Sequence, residues 1–263
     1  GCVYAGHGHD QGRLEDRAIT LGFTSGLDSI QGTFKTLNQH RDVAVELLRL
    51  ALTRPRFAPE EVERARQRTI AGLARTAEDP GTLARRTWMQ TAFPGHPYSR
   101  PVRGEAESVR RIGVDDLRAA HRRHLGRDNL IVGAVGDITP EALGRLLDQA
   151  FGELPAQAPA LAELGARVAE AVPQGLGRTL VVRRKIPQST AIFGAAGVKR
   201  DDPDYYAALA VNYILGGGGF NSRLTVEVRE KRGLAYSVNS GLALYDRAGL
   251  VQGSVGTENA RVG

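Results

Sequence analysis

Residues 215–238 read LGGGGFNSRLTVEVREKRGLAYSV. Four consecutive glycines, Gly216, Gly217, Gly218 and Gly219, carry no Cβ, so the backbone there can take positive φ and lie against another main chain. Behind them Leu224 and Val228 mark one face of a short helix, and Glu227 and Lys231 stand at the i,i+4 spacing of an ion pair. Gly233 falls where a left-handed C-cap belongs. Arg229 is therefore expected on the last helical turns, and Tyr236 at the start of an extended run over 235–244. So short a connection lets both side chains converge on one carbonyl or oxyanion. Arg232, three residues beyond Arg229, is expected to face solvent.

Outward from this string the chain alternates strands and capped helices. Upstream, 179–185 and 189–198 read as strands, Asp202-Pro203 opens the helix that runs to Leu215, and 234–245 with 249–255 form a closing hairpin. Near the start, 19–24 and 29–37 read as a hairpin about Gly26, Leu27 and Asp28. Val43, Leu47 and Leu50 begin an apolar helical face that ends before Arg54-Pro55. Pro59 with Glu60 and Glu61 opens a second helix, Asp79-Pro80 a third, and Thr139-Pro140 a fourth whose Leu143, Leu146, Leu147 and Ala150 share a face. Residues 113–124 read as helix and 129–136 as a buried strand. Strands followed by helices, with few βαβ crossovers, indicate an α+β fold of two antiparallel-rich units. The Ala- and Pro-rich stretch 154–178 reads as the linker between domains at 1–153 and 179–263.

The string 215–238 closely resembles the C-terminal-half signature of the M16 (pitrilysin or insulinase type) zinc metallopeptidases, in which LGGG, SRL, VREK and GLAYSV follow in that order. Residues 33–57, 59–80, 95–104 (GHPYSRPVRG) and 115–136 resemble the N-terminal half of the same family, mitochondrial processing peptidase included. The resemblance implies two LuxS/metalloenzyme-like M16 domains, with the chain truncated at both ends. It also implies that Arg229 and Tyr236, seven residues apart, contact the substrate backbone in trans at the zinc of another half. Gly216, Gly217, Gly218 and Gly219 become a substrate-binding loop by the same reasoning.

A catalytic zinc needs three protein ligands and an open position for water. The family supplies them as His-x-x-Glu-His on one helix and a Glu on a second. Here Glu63, Arg64, Arg66 and Gln67 register with that second helix, and the ligand position falls on Gly72, preceded by Ala71. Neither residue binds a metal. No His in the chain has another His four positions away, and a His-x-x-Glu-His helix would precede Gly1. His121 and His124 are spaced i,i+3 and read as structural, while His7 and His9 form a loose His-x-His near the start. The expectation is no cofactor in this chain, with zinc in a His-x-x-Glu-His partner subunit and a peptide as substrate.

The 263 residues are 41% hydrophobic and 24% charged, the balance of a globular protein, and a single Cys2 excludes an internal disulfide framework. No apolar run approaches the roughly 20 residues that span a bilayer. The net charge of +6 is spread as Arg among Glu and Asp without an aromatic platform, which argues against nucleic acid. By resemblance the protein is periplasmic or secreted, although no signal peptide is visible, and a cytoplasmic location stays open. Two other functions also stay open: a structural or assembly subunit like the core subunits of respiratory complexes, and an active peptidase with an atypical ligand such as Glu78.

Overall fold

Gly26 N–H closes a turn on Ser29 O at 2.8 Å and joins two six-residue strands, β1 (Thr20–Ser25) and β2 (Ile30–Lys35). They pair antiparallel, with Thr20 opposite Lys35 and Ser25 opposite Ile30. This hairpin opens a computed structural model that describes residues 14, 16–159, 168–175 and 177–261. Helix α1 (Arg41–Thr53) follows, and its buried stripe is Ala44, Val45, Leu47, Leu48 and Leu52. Of the face expected from the sequence, Leu47 is central, while Val43 and Leu50 flank it half-buried. Val45, Leu48 and Leu52 pack with Ala150 and Leu154, and Leu21 and Phe23 of β1 close the cluster.

Helices α2 (Pro59–Ala77), α3 (Pro80–Ala92), α4 (Ala106–Arg111), α5 (Val114–His124) and α6 (Pro140–Phe151) begin where the local chemistry asks. Asp79 Oδ2 accepts from Thr82 N–H at 2.7 Å, and Thr139 Oγ1 accepts from Ala142 N–H at 3.3 Å, each just before a proline at the first helical position. The Asp79 carboxyl is held below its usual range by Thr82, first through its side chain and then through its backbone N–H.

Strand β3 (Gln188–Ala196) leads to helix α7 (Tyr205–Asn212), a π-helical turn over Tyr213–Gly217, and strands β4 (Ser237–Tyr245) and β5 (Ala248–Glu258). The sheet order is β3-β5-β4, antiparallel throughout. Central β5 buries Ala248 and Leu250. The architecture is thus α+β with antiparallel sheets packed by helices, as expected.

The chain divides into two compact units, Gly1–Ala71 with Glu105–Arg167, and Gly72–Gly104 with Val168–Gly263. This differs from contiguous domains at 1–153 and 179–263. In the second unit a Cβ on Gly194 of β3 would stand 2.7 Å from Trp88 Cζ2, and Tyr98 stacks 5.0 Å from Tyr245, so 72–104 packs on strands far along the sequence. The expected linker is also bound at both ends. Pro155 O accepts from Arg127 N–H at 2.9 Å in the first unit, and Gln174 N–H donates to Ala92 O at 2.8 Å in the second. Its stretch 160–167 lies outside the described residues.

Two expected strands are corrected. Of the strands expected at 129–136 and 179–185, Asn129 ends a 3-10 turn, and 130–135 with 179–185 are irregular and largely exposed, Ile131 by 97% and Val181 by 76%. A strand forms only when its N–H and C=O groups meet a neighbouring strand. Among the described residues none is paired with either segment.

Candidate functional site

Asn212 and Ser240 set the glycine turn. Ser240 Oγ donates to Asn212 Oδ1 at 2.8 Å, both residues are buried, and a Cβ on Gly216 would stand 2.6 Å from Ser240 N and 2.8 Å from Leu224 Cδ1. Only glycine lets that backbone lie on β4. Gly217 is equally crowded by Asn212 Nδ2 at 2.7 Å, and Gly219 takes φ +64°, so both properties expected of the run are present.

Buried Ser222 starts the next helix, its Oγ accepting from Thr225 N–H at 3.4 Å. The helix widens into a π turn over Thr225–Glu230, where Lys231 N–H reaches back to Val226 O at 2.9 Å. Gly233, at φ +58°, donates to Arg229 O at 3.0 Å, and Leu234 N–H reaches Val228 O at 3.0 Å, which closes the helix through a left-handed cap. The expected Lys231–Glu227 pair forms at 2.7 Å. Arg232 joins it, donating to Glu227 Oε2 at 2.7 Å and to Glu227 O at 2.6 Å. The residue is exposed, yet it braces the helix end rather than facing solvent alone.

Arg229 is exposed, with its guanidinium 5.4 Å from the centre of the Phe220 ring. Tyr236 is 52% exposed, and its hydroxyl donates to Glu258 Oε1 at 2.5 Å. That bond is the main cause that holds the phenol above its ordinary ionisation range. Both side chains therefore lie open to solvent at the two ends of one helix-to-strand connection, each with its own neighbour. Phe220, Glu258 and Arg261 escaped the sequence reading. Glu258 lies 22 residues from Tyr236, and only the β4–β5 register, Ser237 opposite Gly256, brings them together.

Gly72 lies within α2 and has nothing within 4 Å of where its Cβ would be, so no donor atom stands in for the missing carboxylate. Among the described residues no three His, Cys, Asp or Glu side chains gather as a metal site would require. His121 Nε2 is 2.8 Å from Leu52 O with its ring edge-on to Phe57, a structural role, and Glu78 is exposed beside Arg184 at 3.6 Å. His7, His9 and Cys2 lie outside the described residues. The described residues around Gly72 thus do not supply the ligand set of a catalytic zinc.

Known proteins share this sequence and fold. The sequence profile described as the peptidase M16 inactive domain matches residues 111–263. An uncharacterized zinc protease of Streptomyces coelicolor is 32% identical over 82% of this chain and 47% of its own length. A non-peptidase homolog of Helicobacter pylori is 27% identical over 95% of this chain and 57% of its own. This chain thus spans about half the length of the curated relatives it matches. A crystal structure of a peptidase M16 inactive domain from Pseudomonas fluorescens superposes with TM-score 0.84 at 29% identity, covering 95% of this chain and 59% of that one. With the glycine turn, the Arg229 helix and the Tyr236 strand all inside the matched region, the chain belongs to the M16 peptidase family, in the part described as its inactive domain.

Proposed function

We propose that this chain is the non-catalytic subunit of a two-subunit M16 zinc metallopeptidase, and that it lends Arg229, Tyr236 and the glycine turn to a peptide held at the partner's zinc. The observation that carries the reading is the unit built by 216–236: a glycine turn with Gly217 and Gly219 exposed, then an exposed guanidinium and an exposed phenol joined by one capped connection. Arg229 supplies directed donors to a peptide carbonyl or a developing oxyanion, and Tyr236 fixes the adjacent backbone. The metal itself belongs to the proposed partner, which carries His-x-x-Glu-His.

Steady-state cleavage of an internally quenched peptide by the reconstituted pair tests this. Tyr236→Phe should lower kcat on the order of 10² to 10³, and Arg229→Ala at least as much, with zinc content and assembly unchanged. Arg118→Ala is the control, because its exposed pair with Asp115 at 3.1 Å contributes little. Arg232→Ala is unsuitable, given its bonds to Glu227. A second reading, a structural or assembly subunit, is favoured by the close fit of Gly216 on Ser240, since the string also builds the fold. Full activity in both variants would select it.

A further inference from the structure

The connection between Arg229 and Tyr236 is gripped at four points, three from the end of β5 and one from the turn Asn259–Arg261 that follows it. Tyr236 N–H donates to Gly256 O at 2.8 Å, and Thr257 Oγ1 donates to Leu234 O at 2.5 Å. Glu258 Oε1 accepts from the Tyr236 hydroxyl at 2.5 Å. Arg261 Nη1 donates to Gly233 O, the carbonyl at the left-handed cap, while its Nε lies 3.5 Å from Glu258 Oε2. The first two bonds hold main chain. The last two form a chain of side chains, from Gly233 O through Arg261 and Glu258 to the Tyr236 oxygen.

We infer that Glu258 and Arg261 are positioning residues for the substrate contacts of Tyr236 and Arg229, an inference that rests on the reading above. An exposed phenol on a strand has two rotatable bonds and ordinarily spreads over several rotamers. A carboxylate at hydrogen-bond distance removes that freedom, and charge-assisted bonds are the strongest available for the purpose. Arg261 in turn keeps Glu258 from swinging to solvent. By holding the cap carbonyl, Arg261 also fixes the end of the helix that carries Arg229. The relay thus couples the two substrate-contacting residues through groups that touch no substrate. A displacement of ~1 Å at such a contact is enough to cost about two orders of magnitude in rate, so the arrangement matters at the scale of turnover.

Three measurements on the full chain decide it. Ultraviolet titration of the Tyr236 phenol, taken as the difference between each protein and its Tyr236→Phe counterpart, should show ionisation at lower pH in Glu258→Gln, because the neighbouring anion that disfavours phenolate is gone. In peptide cleavage by the assembled pair, Glu258→Ala should lower kcat about tenfold with KM little changed, and Arg261→Ala by a smaller factor. Glu258→Gln keeps an acceptor oxygen and should retain most of kcat. In a Tyr236→Phe background, Glu258→Ala should add almost nothing, since the two act as one unit. An unshifted phenol titration, or fully additive losses in the double variant, overturns the positioning role alone. A silent Tyr236→Phe overturns the substrate reading and the positioning role with it, even where the phenol titration shifts.

Discussion

Gly72 and Gly216 are the same residue under opposite constraints. A Cβ on Gly72 meets nothing within 4 Å inside α2, whereas one on Gly216 meets Ser240 N at 2.6 Å. Gly72→Ala is therefore expected to stabilise by roughly 0.5–1 kcal/mol, because glycine in a helix interior loses more backbone entropy than alanine. Gly216→Ala is expected to destabilise by about 1–3 kcal/mol through forced backbone movement. Thermal unfolding of the two variants measures both signs. Gly72→Glu extends the comparison: it restores a carboxylate where the structure leaves room, so the variant should fold. Elemental analysis should still find no stoichiometric zinc in either protein, since one oxygen ligand does not make a site. One tightly bound zinc per unmodified chain would sink the non-catalytic reading. The sequence showed Gly72 and the glycine run equally well. It did not show that one glycine is sterically replaceable and the other is not, because Ser240 reaches Gly216 only through the fold.

At the level of elements, signals carried by neighbouring residues were legible and those carried by distant partners were not. Asp79 before Pro80, Thr139 before Pro140 and Gly233 after the Arg229 helix are complete instructions within a few residues, and each is realised as a cap. The runs at 130–135 and 179–185 have the composition of strands, but a strand is completed by a partner elsewhere, and no pairing forms there among the described residues. The Arg229 helix end has its own pH dependence. Its Glu227 carboxyl is held below the usual range, first by the hydrogen bond from Lys231 and then by that from Arg232. A carboxyl whose folded pKa is depressed contributes stability that is present above its unfolded value of about 4.3 and is lost as pH falls through the folded value. Amide protection factors at 229–234, each rate taken relative to its intrinsic value at the same pH, should therefore fall on acidification below about pH 4.3, and Glu227→Gln should abolish that pH dependence. An unchanged exchange profile in Glu227→Gln would remove the ion pair as the cause.

For the whole molecule, the consequential finding is that 72–104 belongs with 168–263. Phe93 is almost fully buried, with rings of Trp88 at 6.4 Å, His96 at 6.1 Å and Tyr98 at 5.6 Å around it. Tyr98 carries the cluster into the hairpin, its hydroxyl accepting from Arg247 N–H at 2.9 Å between β4 and β5. The three-stranded sheet β3-β5-β4 thus takes much of its apolar cover from a segment that precedes β3 by about a hundred residues. A sequence reading that cuts the chain at its Ala/Pro-rich stretch cannot see this, because aromatic packing leaves no periodic mark across such a separation. A small sheet needs packing on its hydrophobic face to stand alone, and 72–104 supplies that packing to β3 and the β4–β5 hairpin through Trp88 and Tyr98. A fragment of 168–263 alone should therefore lack a cooperative thermal transition by circular dichroism, and mixing it with 72–104 should restore one. Phe93→Ala in the full chain should cost about 3–5 kcal/mol and lower exchange protection in β3, β4 and β5 more than in β1, β2 and α1. Independent folding of 168–263, or loss of protection spread evenly over both units, would show that the sheet is sustained without 72–104 and restore the contiguous division at the linker.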